Sequence, residues 1–367
     1  MHSSTSPEKT PAHGGDVYHL ARTLGVEVQD LLDFSANINP LGFPPGLQQA
    51  AMEALQEICH YPDRRCLDLR RDLAAYHGLS PEHILVGNGS TELIYLLARA
   101  LKPGKSLIVA PAFSEYEQAL QAARVPVDFH LTAEADHFTL SASLDPRGAD
   151  LVFLANPASP SGALIPTERL LAVIAALDGA GVRVVLDEAF IDFVEEASLK
   201  PHLARFPRLI ILRSFTKFFG IPGLRLGYVL AAPELVAHLV VLQEPWSVNT
   251  LAQAAGRACL TDHDFMAQTR LLVHGERQYL GEGLAALEGL KAFPSAVNYL
   301  LVKLTRPGAT AAQLRHAMLR HRLIIRDASN FRGLDERFFR IAVRRRFEND
   351  RLLQALKQCL NAWCGPP

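Results

Sequence analysis

Short apolar runs alternate with amphipathic stretches along most of the chain. Ser106 to Ala110 (SLIVA), Leu151 to Ala155 (LVFLA), Val182 to Leu186 (VRVVL) and Leu209 to Leu212 (LIIL) are rich in Val, Ile and Leu. Runs of this length predict buried strands. Ile84 to Val86 and Tyr228 to Ala231 add two more. Thr91 to Leu101, Thr167 to Leu177 and Pro233 to Leu242 space their apolar residues as helices do. Strands separated by helices form βαβ units, hence a mainly parallel sheet covered on both faces. The texture then changes. Leu251 to Leu290 reads as mostly helical, followed by strands Asn298 to Leu304, Leu323 to Arg326 and Phe339 to Val343. Helix Thr310 to Arg320 separates the first two of these strands, and helix Phe347 to Leu360 closes the chain. The pattern predicts an α/β protein with a large sheet domain and a smaller C-terminal domain.

Composition narrows the function. The chain has 367 residues, with 37 Lys and Arg against 38 Asp and Glu, a net charge of −1. That balance argues against a general nucleic-acid binder, which needs a basic surplus. A hydrophobic share of 49% excludes a disordered chain. The five cysteines are scattered without C-x-x-C spacing, so neither a disulfide framework nor a metal site is expected. Reduced thiols in a cytoplasmic protein are the expectation. Residues 1–12 read as a polar tail lacking the apolar segment of a secretory signal, and no apolar run reaches the ~18 residues of a membrane span.

In open parallel sheets ligands bind beyond the carboxyl ends of the strands. Three loops there carry chemistry. Gly87-Asn88-Gly89-Ser90-Thr91 joins a strand to a helix start, where backbone amides and hydroxyls suit an anion, although a capped helix start explains it as well. Asp187 follows VRVVL, and a carboxylate at the end of a buried strand needs a cation or donor; a helix cap is the alternative. Arg213-Ser214-Phe215-Thr216-Lys217 follows LIIL and sets a lysine among aromatics and glycines. Burial there lowers a lysine's pKa and makes it nucleophilic. A phosphate cradle, an acid and a buried lysine together fit pyridoxal phosphate, which needs all three.

At this point the sequence resembles the fold-type I pyridoxal-phosphate enzymes of the aminotransferase class I/II superfamily. Their signature S-x-x-K-x-x-G-x-x-G-x-R-x-G-Y stands here as Ser214 to Tyr228, with Lys217, Gly220, Gly223, Arg225 and Gly227 in place. Within the superfamily the chain is most similar to the threonine-phosphate decarboxylases of cobalamin biosynthesis. The segments that carry this are His13-Gly14-Gly15, DFSANINPLG from Asp33, Tyr61-Pro62-Asp63, LDEAFIDF from Leu186, PWSVN from Pro245 and Asn298-Tyr299-Leu300-Leu301. Histidinol-phosphate aminotransferases are the nearest relatives of that group.

The resemblance implies a large domain with a mostly parallel seven-stranded sheet and a smaller α/β C-terminal domain. Residues 1–44 would form an N-terminal arm and part of the small domain, 45–245 the large cofactor-binding domain, and 246–367 the small domain. Lys217 is implied as the residue that bonds the cofactor and Asp187 as the partner of its ring nitrogen. Gly89, Ser90, Thr91, Ser214 and Arg225 are implied at the cofactor phosphate, Phe113 against the ring, and Tyr61 at the cofactor phosphate of a partner subunit. A homodimer with shared active sites follows. Arg340 is implied at the substrate carboxylate, and Arg326, with His13, Gly14 and Asn37, at the substrate phosphate. The implied reaction is decarboxylation of L-threonine O-3-phosphate to (R)-1-amino-2-propanol O-2-phosphate and CO2. Its rivals are a histidinol-phosphate-type aminotransferase, a serine-phosphate decarboxylase and a catalytically silent cofactor-binding regulator. Two departures stand out. Ser159 occupies the place where the family usually has an Asn at the cofactor's phenolic oxygen, with Asn156 as a possible substitute. Phe190 stands where many aminotransferases have Tyr.

Overall fold

The computed structural model describes residues 14–140 and 143–363, so His13 lies outside the described residues. The chain begins with α1 (Val17–Leu24) and the two-residue strand β1 (Leu32–Asp33), followed by α2 (Pro45–Ala54) and α3 (Leu67–His77). The large unit then runs β2 (Ile84–Gly87), α4 (Gly89–Leu101), β3 (Ser106–Ala110), α5 (Ser114–Ala122), β4 (Val127–Leu131), β5 (Leu151–Ala155), α6 (Thr167–Gly179), β6 (Arg183–Asp187), β7 (Leu209–Ser214), β8 (Gly227–Leu230) and α7 (Pro233–Leu242). Helices α8 (Thr250–Thr261) and α9 (His263–Ala285) lead to β9 (Leu290–Ala292), β10 (Tyr299–Leu304), α10 (Ala311–Leu319), β11 (Leu323–Ile324), β12 (Arg326–Asp327), β13 (Phe338–Ala342) and α11 (Arg346–Ala362).

Seven strands form the large sheet in the order β2-β8-β7-β6-β5-β3-β4. Strands β3 to β7 pair in parallel, whereas β8 is antiparallel to both neighbours. The 215–226 segment returns from β7 to β8 without a helix. A parallel neighbour needs a helical crossover, so β8 comes back antiparallel. Side chains of the inner strands alternate between two cores. Val184 and Leu186 join one and Val185 the other. Strands apolar on both faces leave polar groups only at their ends, which is where the site collects.

The small unit has its own core around Val302, Ile341 and Leu356. Its sheet, β12-β13-β10-β9, is antiparallel. The run Leu323 to Arg326, read from sequence as one strand, is divided. β11 pairs in parallel with β1, and β12 pairs with β13. The break at Ile325 lets one short segment serve two sheets. Helix α9 joins the units: Phe265, Met266 and Val273 pack in the large core, whereas Leu280 and Leu284 pack in the small one. Residues Ala252, Ala255 and Cys259 of α8 also belong to the large core, C-terminal to the 245/246 boundary expected from sequence. Among the described residues no helix is long and apolar enough to cross a membrane.

Candidate active site

A cavity of about 550 Å³ opens at the carboxyl ends of β3, β5, β6 and β7 and is lined from the other side by Arg326 and Arg340 of the small sheet. Its wall brings together Gly14, Asn37, Ser90, Thr91, Phe113, Ser159, Asp187, Ser214, Lys217, Arg225, Arg326 and Arg340. These residues lie more than 300 positions apart at the extremes, and only the folding of both sheets around one cavity makes them neighbours.

The start of α4 is built to hold an anion. Gly89 has φ of +78°, and a Cβ there would stand 2.7 Å from Arg225 Nη2. Bare glycine therefore lets the guanidinium lie against the first turn, beside the Ser90 and Thr91 hydroxyls and the free amides of the helix start. Ser214 Oγ accepts the Thr216 amide at 3.2 Å, a local turn that brings both residues and Lys217 to the cavity.

Lys217 is reached by solvent only in part and lines the cavity. Burial, then the Arg340 and Arg225 charges, lower its amine to about 8, against the opposing pull of Asp33. Its loop is tied to the N-terminal segment. Asn39 donates its amide to Lys217 C=O at 3.1 Å and its Nδ2 to Phe218 C=O at 2.6 Å. Gly220, at φ +65°, permits the contact, since a Cβ there would meet Gly42 C=O at 2.2 Å.

Asp187 is buried at the end of β6. Its Oδ2 accepts the Tyr116 hydroxyl and its Oδ1 the Ala189 amide at 2.8 Å. Burial raises its pKa, and the two donors oppose that rise. Among the described residues it has no cationic partner. A buried carboxylate held by two neutral donors is matched to a cation brought by a ligand, such as a protonated ring nitrogen. Sequence reading missed Tyr116, although it lies three residues beyond Phe113 on the same helix start. Tyr116 stacks on Phe153 at 5.1 Å and meets Phe113 edge-on at 5.9 Å.

On the small-domain wall, Arg326 and Arg340 stand directly opposite each other across β12 and β13. They are 4% and 8% exposed. Arg326 Nη2 donates to Asn330 Oδ1 at 2.8 Å, and Nη1 donates to Asp327 C=O. Burial and the Arg340 charge lower Arg326 to about 10, and burial lowers Arg340 as well. The N-terminal segment packs here: Gly15 donates its amide to Ser35 Oγ at 2.9 Å, and Arg340 Nη2 reaches Ser35 C=O at 3.3 Å.

Two further residues lie outside this cavity. Tyr61, expected at the cofactor of a partner subunit, is 80% exposed and meets the Trp246 ring at a tilt, 4.8 Å between centroids. Asn156 lies behind the wall. Its Oδ1 accepts the Ile165 amide at 2.8 Å and its Nδ2 is buried without a partner, so it does not share the cavity with Ser159. Among the described residues no cluster of His, Cys, Asp or Glu is arranged to hold a metal.

Comparison with known proteins gives the same architecture. Threonine-phosphate decarboxylase of Salmonella typhimurium is 39% identical over 355 residues, covering 95% of this chain and 96% of that protein. The crystal structure of L-threonine-O-3-phosphate decarboxylase from Porphyromonas gingivalis superposes with a TM-score of 0.81 at 31% identity, over 89% of this chain and 99% of that one. The histidinol-phosphate aminotransferase from Clostridium acetobutylicum superposes with a TM-score of 0.85 at 30% identity, over 90% of this chain and 100% of that one. The family model for aminotransferase class I and II matches residues 29–356. That span includes the large sheet, the lysine loop and both arginine strands, and the chain belongs to the aminotransferase class I and II family.

Proposed function

We propose that the protein binds pyridoxal 5′-phosphate and decarboxylates L-threonine O-3-phosphate to (R)-1-amino-2-propanol O-2-phosphate and CO2, a step of cobalamin biosynthesis. The observation that carries this reading is the Arg326–Arg340 pair. Like charges opposite each other on adjacent strands repel, and burying them adds a desolvation cost. A ligand bearing both a phosphate and a carboxylate offsets both penalties, and charge-assisted pairs with guanidinium groups are strong. The similarity to the two threonine-phosphate decarboxylases supports the same substrate.

The cavity suits the cofactor. The α4 start, Gly89, Ser90, Thr91, Ser214 and Arg225 would hold its phosphate, Phe113 would cover the ring, and Asp187 would keep a proton on the ring nitrogen. When bound, pyridoxal phosphate supplies an electron sink for the pair left behind as CO2 departs. Lys217 would hold it covalently; released by the substrate amine, it becomes a base or acid close to the reacting carbon. Arg340 would grip the carboxylate, and Arg326, with Asn37, Gly14 and His13, the phosphate. Holding the substrate at two points fixes which bond at its central carbon stands ready to break, and orientation decides between decarboxylation and transamination. Ser159 would stand at the cofactor's phenolic oxygen.

We further infer a homodimer. Tyr61 and Trp246 form an exposed aromatic pair, and Leu55, Ile58 and Val241 are 50%, 61% and 80% exposed. Apolar exposure of this kind marks an interaction surface. In such a dimer Tyr61 of each subunit would reach the cofactor phosphate of the other. The four described cysteines are free thiols.

The test is direct. With pyridoxal phosphate and O-phospho-L-threonine, the purified protein is expected to release CO2 with no 2-oxo acid added. Dependence on 2-oxoglutarate, with glutamate as product, would establish the aminotransferase reading instead. O-phospho-L-serine is expected to be the poorer substrate by roughly 10- to 200-fold in kcat/KM, the value of one buried methyl group. Arg326→Ala is expected to raise KM for phosphothreonine about 10- to 100-fold, the worth of a hydrogen bond to a charged group, while cofactor affinity stays unchanged. An unchanged KM removes Arg326 from the phosphate site.

A further inference from the structure

Arg340 poses a physical problem. It is a buried guanidinium whose hydrogen bonds among the described residues go to a serine and a backbone carbonyl, not to a carboxylate. Its Nη1 meets Ser159 Oγ at 3.4 Å, its Nη2 meets Ser35 C=O at 3.3 Å, and its Nε has no partner. Two long hydrogen bonds are a weak hold for a charge taken out of water. The third neighbour is aromatic: the guanidinium carbon lies over the Tyr299 ring, 5.1 Å from its centroid.

Register explains that placement. On the paired strands Leu301 faces Arg340 and Tyr299 faces Ala342, so Tyr299 and Arg340 are diagonal neighbours on the face turned toward the large domain. Tyr299 is fully buried and fixed on three sides. Its hydroxyl donates to Ala158 C=O at 2.8 Å, and it meets the Phe190 ring edge-on at 4.9 Å and 76°. The ring cannot turn away, and its hydroxyl holds the carbonyl of Ala158, next to the serine that also contacts Arg340.

We propose that Tyr299 is the positioning residue for Arg340, presenting an aromatic face that supports the guanidinium while leaving its charge free for the substrate carboxylate. A carboxylate in the same place would hold the arginine more tightly but compete with the substrate. An aromatic quadrupole stabilises a cation without neutralising it. This inference rests on the substrate reading above, since it takes the group that Arg340 receives to be a carboxylate.

The experiment measures binding to the holoenzyme through the change in cofactor absorption. Two ligands are compared: O-phospho-L-threonine, and O-phosphoethanolamine, which keeps the amine and phosphate but lacks the carboxylate. Tyr299→Leu is expected to weaken phosphothreonine binding about tenfold and to leave phosphoethanolamine within about twofold. Tyr299→Phe keeps the ring and is expected to restore phosphothreonine binding to within about threefold of wild type. Tyr299→Met carries the same test where the leucine variant does not fold. Equal weakening of both ligands, or none, overturns the role of Tyr299. Failure of the wild-type holoenzyme to bind phosphothreonine overturns the substrate reading, a separate result.

Discussion

Lys217→Ala is expected to lower decarboxylation by more than about 10⁴-fold, because in the proposed reaction one side chain both bonds the cofactor and moves a proton. The absorption band of lysine-bound pyridoxal phosphate should vanish from the variant. Cofactor should still bind weakly, since the cradle at Gly89, Ser90, Thr91 and Arg225 is intact. Persistence of the band sinks the assignment. The amine at about 8 adds a pH arm. Only the free amine attacks the aldehyde, so reconstitution of the apoprotein should slow about tenfold per pH unit below 8 and level off above 9. Stability follows the same group. Between about 8 and the ordinary lysine value the unfolded chain carries a proton that the folded one lacks, so stability should rise with pH across that window. The wild-type curve minus that of Lys217→Leu isolates this contribution, and a flat difference would deny the amine its depressed value.

The residues that made the lysine loop readable are those the fold uses most literally. Apolar strands such as Leu151–Ala155 and Ser106–Ala110 appear where the sequence places them, because a strand buried on both faces has no polar positions to blur it. Strand β4, VDFHL, was missed for the opposite reason: it is a half-buried edge strand that admits Asp128 and His130. Helices α2 and α3 bury narrow faces, and polar residues hide their period. In the site, a signature with fixed spacing pointed to Lys217, Ser214 and Arg225. Tyr116 and Tyr299 had no such signal, since each acts on a partner distant in sequence and depends on register or on a helix docking against the sheet. The clearest example is the pair Asp187-Glu188. The sequence shows two acids after a buried strand, and successive strand residues point to opposite faces. Asp187 faces the cavity, while Glu188 faces away and meets Arg213.

That second face yields the other large effect. Arg213→Leu is expected to cost about 3–5 kcal/mol and to lower Tm by about 4–6 °C, because it strands buried acids. Arg213 is wholly buried. Its Nη1 donates to Glu188 at 3.0 Å and to Ser198 at 3.3 Å, and its Nη2 to Asp192 at 2.9 Å and Glu195 at 2.5 Å. Burial already raises Glu188 and Asp192 above the usual carboxylate range, with the Arg213 charge holding them down. Without the arginine they rise further, so the folded variant binds protons that the unfolded chain does not. Its defect should therefore be largest near pH 8 and shrink as pH falls toward 5. Arg213→Lys should not rescue it, because one ammonium cannot reach three acids in a fork. Thermal unfolding at pH 5, 6, 7 and 8 decides the matter, and a loss that is small or constant across those values would mean that the acids do not depend on Arg213. The same variant should bind pyridoxal phosphate more weakly. Arg213 and Glu188 each adjoin a cavity residue, Ser214 and Asp187, so this ion cluster on the far face of the sheet fixes the ends of β6 and β7 from behind.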